Sequence, residues 1–200
     1  KEAKDNFKQN PREVYFKFFS LVEQARNARI IADAVWKCHM QLIYRTGEIK
    51  NVTNYSRVAL ENFAVLELWK LYDKKNSVFH IWDVVRYLNN QTLSKWLDIN
   101  FKKIQSDVHL ISEWRHDAIG HRGKAGYYTP NLRQQKFSTA RVSEQKLRDF
   151  LIDFLCQIDR ELWSTDIEDI KQGMQASENS FKHKIEKEMK EIFKDYDGTK

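Results

Sequence analysis

Proline and glycine are scarce in this 200-residue chain: two Pro and six Gly leave few positions that would interrupt a helix. An all-α protein is expected. Cysteine is as rare, and Cys38 and Cys156 fall in helical patterns without metal-ligand spacing, so two buried free thiols are expected in place of a disulfide. No apolar run has the length of a membrane span, and residues 1–10 are polar and charged, unlike a signal segment. This reads as a cytoplasmic protein with no membrane contact. A metal cluster, a glycine-rich phosphate loop and a serine nucleophile constellation are also missing, so neither metal nor cofactor is expected. Cys38-His39, His80 and His109 stand alone on helical patterns as structural or surface residues.

What is present is apolar mass and positive charge. With 42% hydrophobic and 13% aromatic residues, the chain can bury one sizeable core, which suits a single domain with an appendage. The formal charge of +6 permits a polyanionic partner, although Lys-rich helix surfaces produce the same sum without one. Its location says more. Between Ala118 and Ser143 there is no acidic residue, while Arg122, Lys124, Arg133, Lys136 and Arg141 are interleaved with Tyr127, Tyr128 and Phe137. This stretch reads as a connection of about twenty residues, long enough to be functional or else unstructured. Arg122, Lys124, Tyr127, Arg133 and Lys136 would suit RNA, since cations meet phosphates and splayed bases stack on aromatic rings. A solvated loop without a ligand is the plainer alternative.

Apolar periodicity lays out the helices. After Pro11, suited to a first turn, Val14, Phe18, Leu21, Ala25, Ala28, Ala32, Val35 and Leu42 recur at three and four up to the break at Gly47. From Tyr55 to Tyr72 almost no polar face remains, which predicts a central helix packed on several sides. Ser77 is the candidate N-cap of a shorter helix carrying Val78, Ile81, Trp82, Val85 and Leu88. Leu97, Phe101, Ile104, Val108 and Ile111 form the next stripe, and Leu147 to Leu162 give a clean amphipathic pattern that closes the bundle near Trp163. Residues 1–163 form the expected bundle. Residues 164–200 are mostly charged with a thin apolar stripe, a C-terminal helical extension that packs on a partner or on the bundle.

Arg115 continues the stripe of Ile111, so it points inward or into an interface. His121 falls on the same half of the helix, where Gly120 and Gly123 supply end-of-helix chemistry and let its ring swing toward Arg115. His116 lies nearly opposite. A guanidinium can neutralise the charge that develops on a phosphorane, and a histidine near neutral pKa can shuttle a proton, so the pair suits metal-free RNA cleavage by a 2′-hydroxyl. One copy makes half of such a site. Acid and base ordinarily need two groups, which a twofold-related second chain would complete. The plainer reading pairs Arg115 with a core carboxylate such as Asp107 or Glu67 and leaves His121 to cap the helix end.

The run Glu113-Trp114-Arg115-His116-Asp117-Ala118-Ile119-Gly120-His121-Arg122 resembles the arginine-to-histidine signature of HEPN domains, particularly of AbiU-type abortive-infection proteins. Residues 59–73, ending Leu71-Tyr72-Asp73, are similar to that group's second helix. The resemblance covers about residues 10–163. It implies an antiparallel helical bundle that homodimerises and joins two motifs into one endoribonuclease cleft. Phage defence or toxin action, with a cognate antitoxin protein as a further partner, follows from the same resemblance. By carry-over Arg115 holds the scissile phosphate and His121 is the general acid and base. His116 stands where the family commonly has Asn or another polar residue, so substrate positioning and a surface role both stay open for it. Arg122 is a second candidate for positioning. Some relatives are inactive, so a non-catalytic dimerisation or binding module is the alternative, with a nucleotide-binding regulator behind it.

Overall fold

A computed structural model describes residues 10–47, 51–75, 77, 79–116 and 130–193, with the side chains of 45, 46, 51–55 and 130–138 outside that description. Among the described residues the chain is a bundle of six helices without strands. They are α1 (Pro11–Thr46), α2 (Asn51–Lys70), α3 (Ile81–Leu88), α4 (Gln91–Trp114), α5 (Pro130–Trp163) and α6 (Ile167–Ile192).

Each boundary has a local chemical cause. Asn10 caps α1 by accepting from the Arg12 amide at 3.0 Å, Pro11 sits in the first turn, and Gly47 ends the helix at φ +67°, a conformation that glycine adopts without penalty. Asn90 caps α4 through the Leu93 amide at 3.0 Å, and Asp166 caps α6 through the Glu168 amide at 2.8 Å. The short α3 begins at His80, not at Ser77. His80 Nδ1 accepts from the Asp83 amide while Asp83 accepts from the His80 amide, a reciprocal box that Ser77 cannot form from three residues upstream.

Cross-helix contacts define the packing. Arg29 and Trp36 of α1 meet Glu61 and Arg57 of α2, Tyr15 and Arg29 of α1 meet Asp159 and Glu144 of α5, and Trp96 and Asp107 of α4 meet Phe154 and Ser143 of α5, so these neighbours run antiparallel. Helix α6 instead runs parallel to α1, with Glu178 on Arg26 and Glu186 on Lys37. The core lies between α1, α2, α4 and α5, where Phe18, Leu68, Leu97, Ile111, Leu151 and Phe154 are fully buried. Burying one such side chain stabilises the fold by roughly 1.5–3 kcal/mol. Tyr72 is buried with them, and its hydroxyl donates to the Leu147 carbonyl at 2.6 Å. Burial pushes its pKa well above the ordinary tyrosine value.

Three expectations change. Helix α2 is not covered all round, since Val58 and Phe63 are exposed; its apolar residues outnumber the positions that α1, α4 and α5 can cover. The stretch without acidic residues is not a loop up to Ser143, because α5 already begins at Pro130. The first buried side chains described along α5 are Ala140, Ser143 and Glu144, two of them polar, so no apolar stripe announces this part of the helix. Cys156 is buried as expected, whereas Cys38 is only half-buried; both are free thiols.

Candidate functional site

Arg115 ends α4. Its amide donates to both the Ile111 and Ser112 carbonyls, and at 115–116 the helix widens into a π-type turn. The side chain is half-buried and its guanidinium carbon lies over the Trp69 ring, 6.0 Å from the centroid. That contact joins the end of α4 to the end of α2. Trp69 is held in turn, because its indole N–H donates to Asp73 Oδ2 at 3.2 Å. The other carboxylate oxygen of Asp73 accepts from the Lys75 amide at 3.0 Å, and Asp73 is buried.

The two carboxylates considered for Arg115 have other partners. Asp107 accepts from the Ser143 hydroxyl at 2.6 Å and lies 3.3 Å from Lys146, while Glu67 pairs with Lys70. His116 is exposed. His121, Arg122, Lys124 and Tyr127 lie outside the described residues. Arg133 and Lys136 fall in the first turns of α5, with side chains outside the description. Trp69 does not stand out in the sequence as a site residue, since a tryptophan in an apolar helix reads as core, and Asp73 enters only as the last residue of the segment similar to the family's second helix. Their i,i+4 spacing at the end of α2 is the one available signal.

A second polar centre lies deeper and was not legible in the sequence. Arg29, buried on α1, donates from Nε and Nη2 to the two oxygens of Glu144 at 2.7 and 2.8 Å, and from Nη1 to Glu61 at 2.6 Å. Arg148 approaches Glu144 at 2.5 Å from the other side. Arg141 reaches Asp33 at 2.5 Å and Glu61 at 3.6 Å. Burial pushes the Glu61 and Asp33 carboxyls up, and the positive charge of Arg29 opposes it in both. Alanines 25, 28 and 32 on the same arc leave room for the guanidinium.

Beside this ladder a cleft of about 370 Å³ opens between α1, α5 and α6, with Arg26, Arg29, Asp33, Arg148, Glu178 and Lys182 on its walls. Acids and bases alternate there, and the buried Arg26 donates to the Met174 carbonyl at 3.2 Å and to Glu178 at 2.6 Å. Arg26 and Arg29 thus spend most of their N–H donors on contacts that clamp helices together. No group of three metal-ligating side chains occurs among the described residues.

No protein-family model, curated protein or solved structure matches the chain.

Proposed function

We propose that the chain is a metal-independent endoribonuclease of the HEPN type, acting in phage defence or as a toxin. The supporting observation is that the two segments carrying the resemblance, residues 59–73 and 113–122, meet through Arg115 and Trp69. An arginine at a helix end, beside an aromatic ring, suits a phosphodiester better than an arginine locked among carboxylates does.

In this reading Arg115 binds the scissile phosphate. His121 takes the proton of the neighbouring 2′-hydroxyl as the 2′-oxygen bonds to phosphorus, and the P–O5′ bond breaks. The 5′-oxygen leaves with a proton donated by the second copy of the motif, and a 2′,3′-cyclic phosphate remains. Two protomers therefore form one site, with His116 and Arg122 beside the substrate and Lys124, Tyr127, Arg133 and Lys136 along the RNA. An antitoxin protein would silence the activity by covering the shared cleft.

The test is incubation of RNA with wild type, Arg115→Ala and His121→Ala, with and without EDTA. Cleavage that persists in EDTA, leaves cyclic phosphate ends and disappears in both variants supports the proposal. Metal-dependent cleavage, or cleavage that survives His121→Ala, sinks it. A dimer that binds RNA without cutting it would instead be a binding module.

A further inference from the structure

We infer that Trp69 and Asp73 form a positioning shelf for Arg115: the indole orders the guanidinium so that its N–H edge is offered to a phosphodiester. This rests on the proposed ribonuclease reading for its ligand, but the shelf itself rests on geometry alone. An arginine side chain at a helix end has several rotatable bonds and would sample many orientations in water. Here its guanidinium sits over an aromatic face, 6.0 Å from the centroid, an arrangement favoured by the ring's negative face. Cation–π attraction to a ring uses no N–H donor of the guanidinium, so those groups can still make bidentate hydrogen bonds to phosphate.

The shelf is itself anchored. Trp69 packs against the main core, and its N–H is bound to Asp73 Oδ2. Asp73 cannot swing away without also losing the Lys75 amide bound to its Oδ1. The chain of contacts therefore runs from a backbone amide through a carboxylate and an indole to the guanidinium. Asp73 fixes the ring on which Arg115 rests. Arg29 offers the contrasting arrangement, with its N–H groups spent on Glu144 and Glu61.

The experiment combines side-chain NMR with cleavage kinetics on the full chain. In Trp69→Leu the Arg115 Nε–H signal should lose order, and kcat should fall about tenfold with a smaller change in KM, whereas Trp69→Phe keeps a ring and should retain most of both. Arg115→Gln, at the end of α4 and outside the core, should shift the Trp69 indole N–H resonance; this reads the contact even if the tryptophan variants fail to fold. An unmoved indole resonance, or an Arg115 signal equally ordered in Trp69→Leu, overturns the shelf. If the signals respond while wild type neither cuts RNA nor binds a 2′-O-methyl oligoribonucleotide, the shelf stands and the ribonuclease reading falls.

Discussion

Arg29 and Arg115 both follow the inner arc of a long helix, yet their surroundings differ. Arg29 is buried, and Glu144, Glu61 and Asp33 from three helices and Arg148 beyond them tie it into an alternating ladder. Arg115 is half-buried, rests over an indole, and stands where α4 ends. The first arrangement holds helices in register and consumes the hydrogen bonds of the guanidinium. The second sets a guanidinium over a ring, and among the described residues no carboxylate is paired with it. Position on an inward stripe therefore does not separate the two arginines; what their guanidinium groups rest against does.

The comparison can be broken most sharply at Arg29. Replacing it with Ala leaves Glu144 and Glu61 buried without their main partner, and should lower the unfolding free energy by about 3–5 kcal/mol, measured by chemical denaturation. Met174→Ala comes next: this side chain is the buried apolar anchor of α6, and its loss should cost about 2–3 kcal/mol by the same measurement. Arg115→Ala should cost less than about 1 kcal/mol in stability while lowering RNA cleavage on the order of 100-fold. A stability loss equal to that of Arg29→Ala would erase the distinction between the two arginines.

The smallest effect is a slope with pH. Burial, and then the neighbouring Arg57, hold the pKa of His39 below its ordinary 6.5. The unfolded chain therefore binds this proton more readily, so the stabilising contribution is present above pH 6.5 and is lost as pH falls from there toward the folded value. His39→Gln should flatten that part of the stability profile. An unchanged slope would assign the acid sensitivity to other groups.

The helical class and the course of α1, α4 and the later part of α5 were legible because few residues interrupt helices and the apolar stripes are regular. Where polar residues face inward, the pattern disappears. Helix α5 carries Ser143 toward Asp107 and Glu144 toward Arg29, so periodicity placed a loop where the chain is helical. The cap at His80 was missed for a related reason: serine is the commoner cap, and a histidine serves here only because Asp83 completes the box. On the site, the sequence singled out Arg115 and His121; the indole beneath Arg115 was hidden because a core tryptophan and a stacking surface have the same sequence signature.

The buried ladder has a consequence for the order of assembly. Arg29 must wait for Glu144, which lies 115 positions later in the chain. At the usual pace of synthesis that interval is on the order of ten seconds. During it the inner charges of α1 remain hydrated, while α2, which follows directly, can already pair with α1 as an antiparallel hairpin. Within the six helices, α1 and α2 can pair before α5 has been made. The arrival of α5 brings Glu144 and Arg148 onto these charges and converts them into an interior.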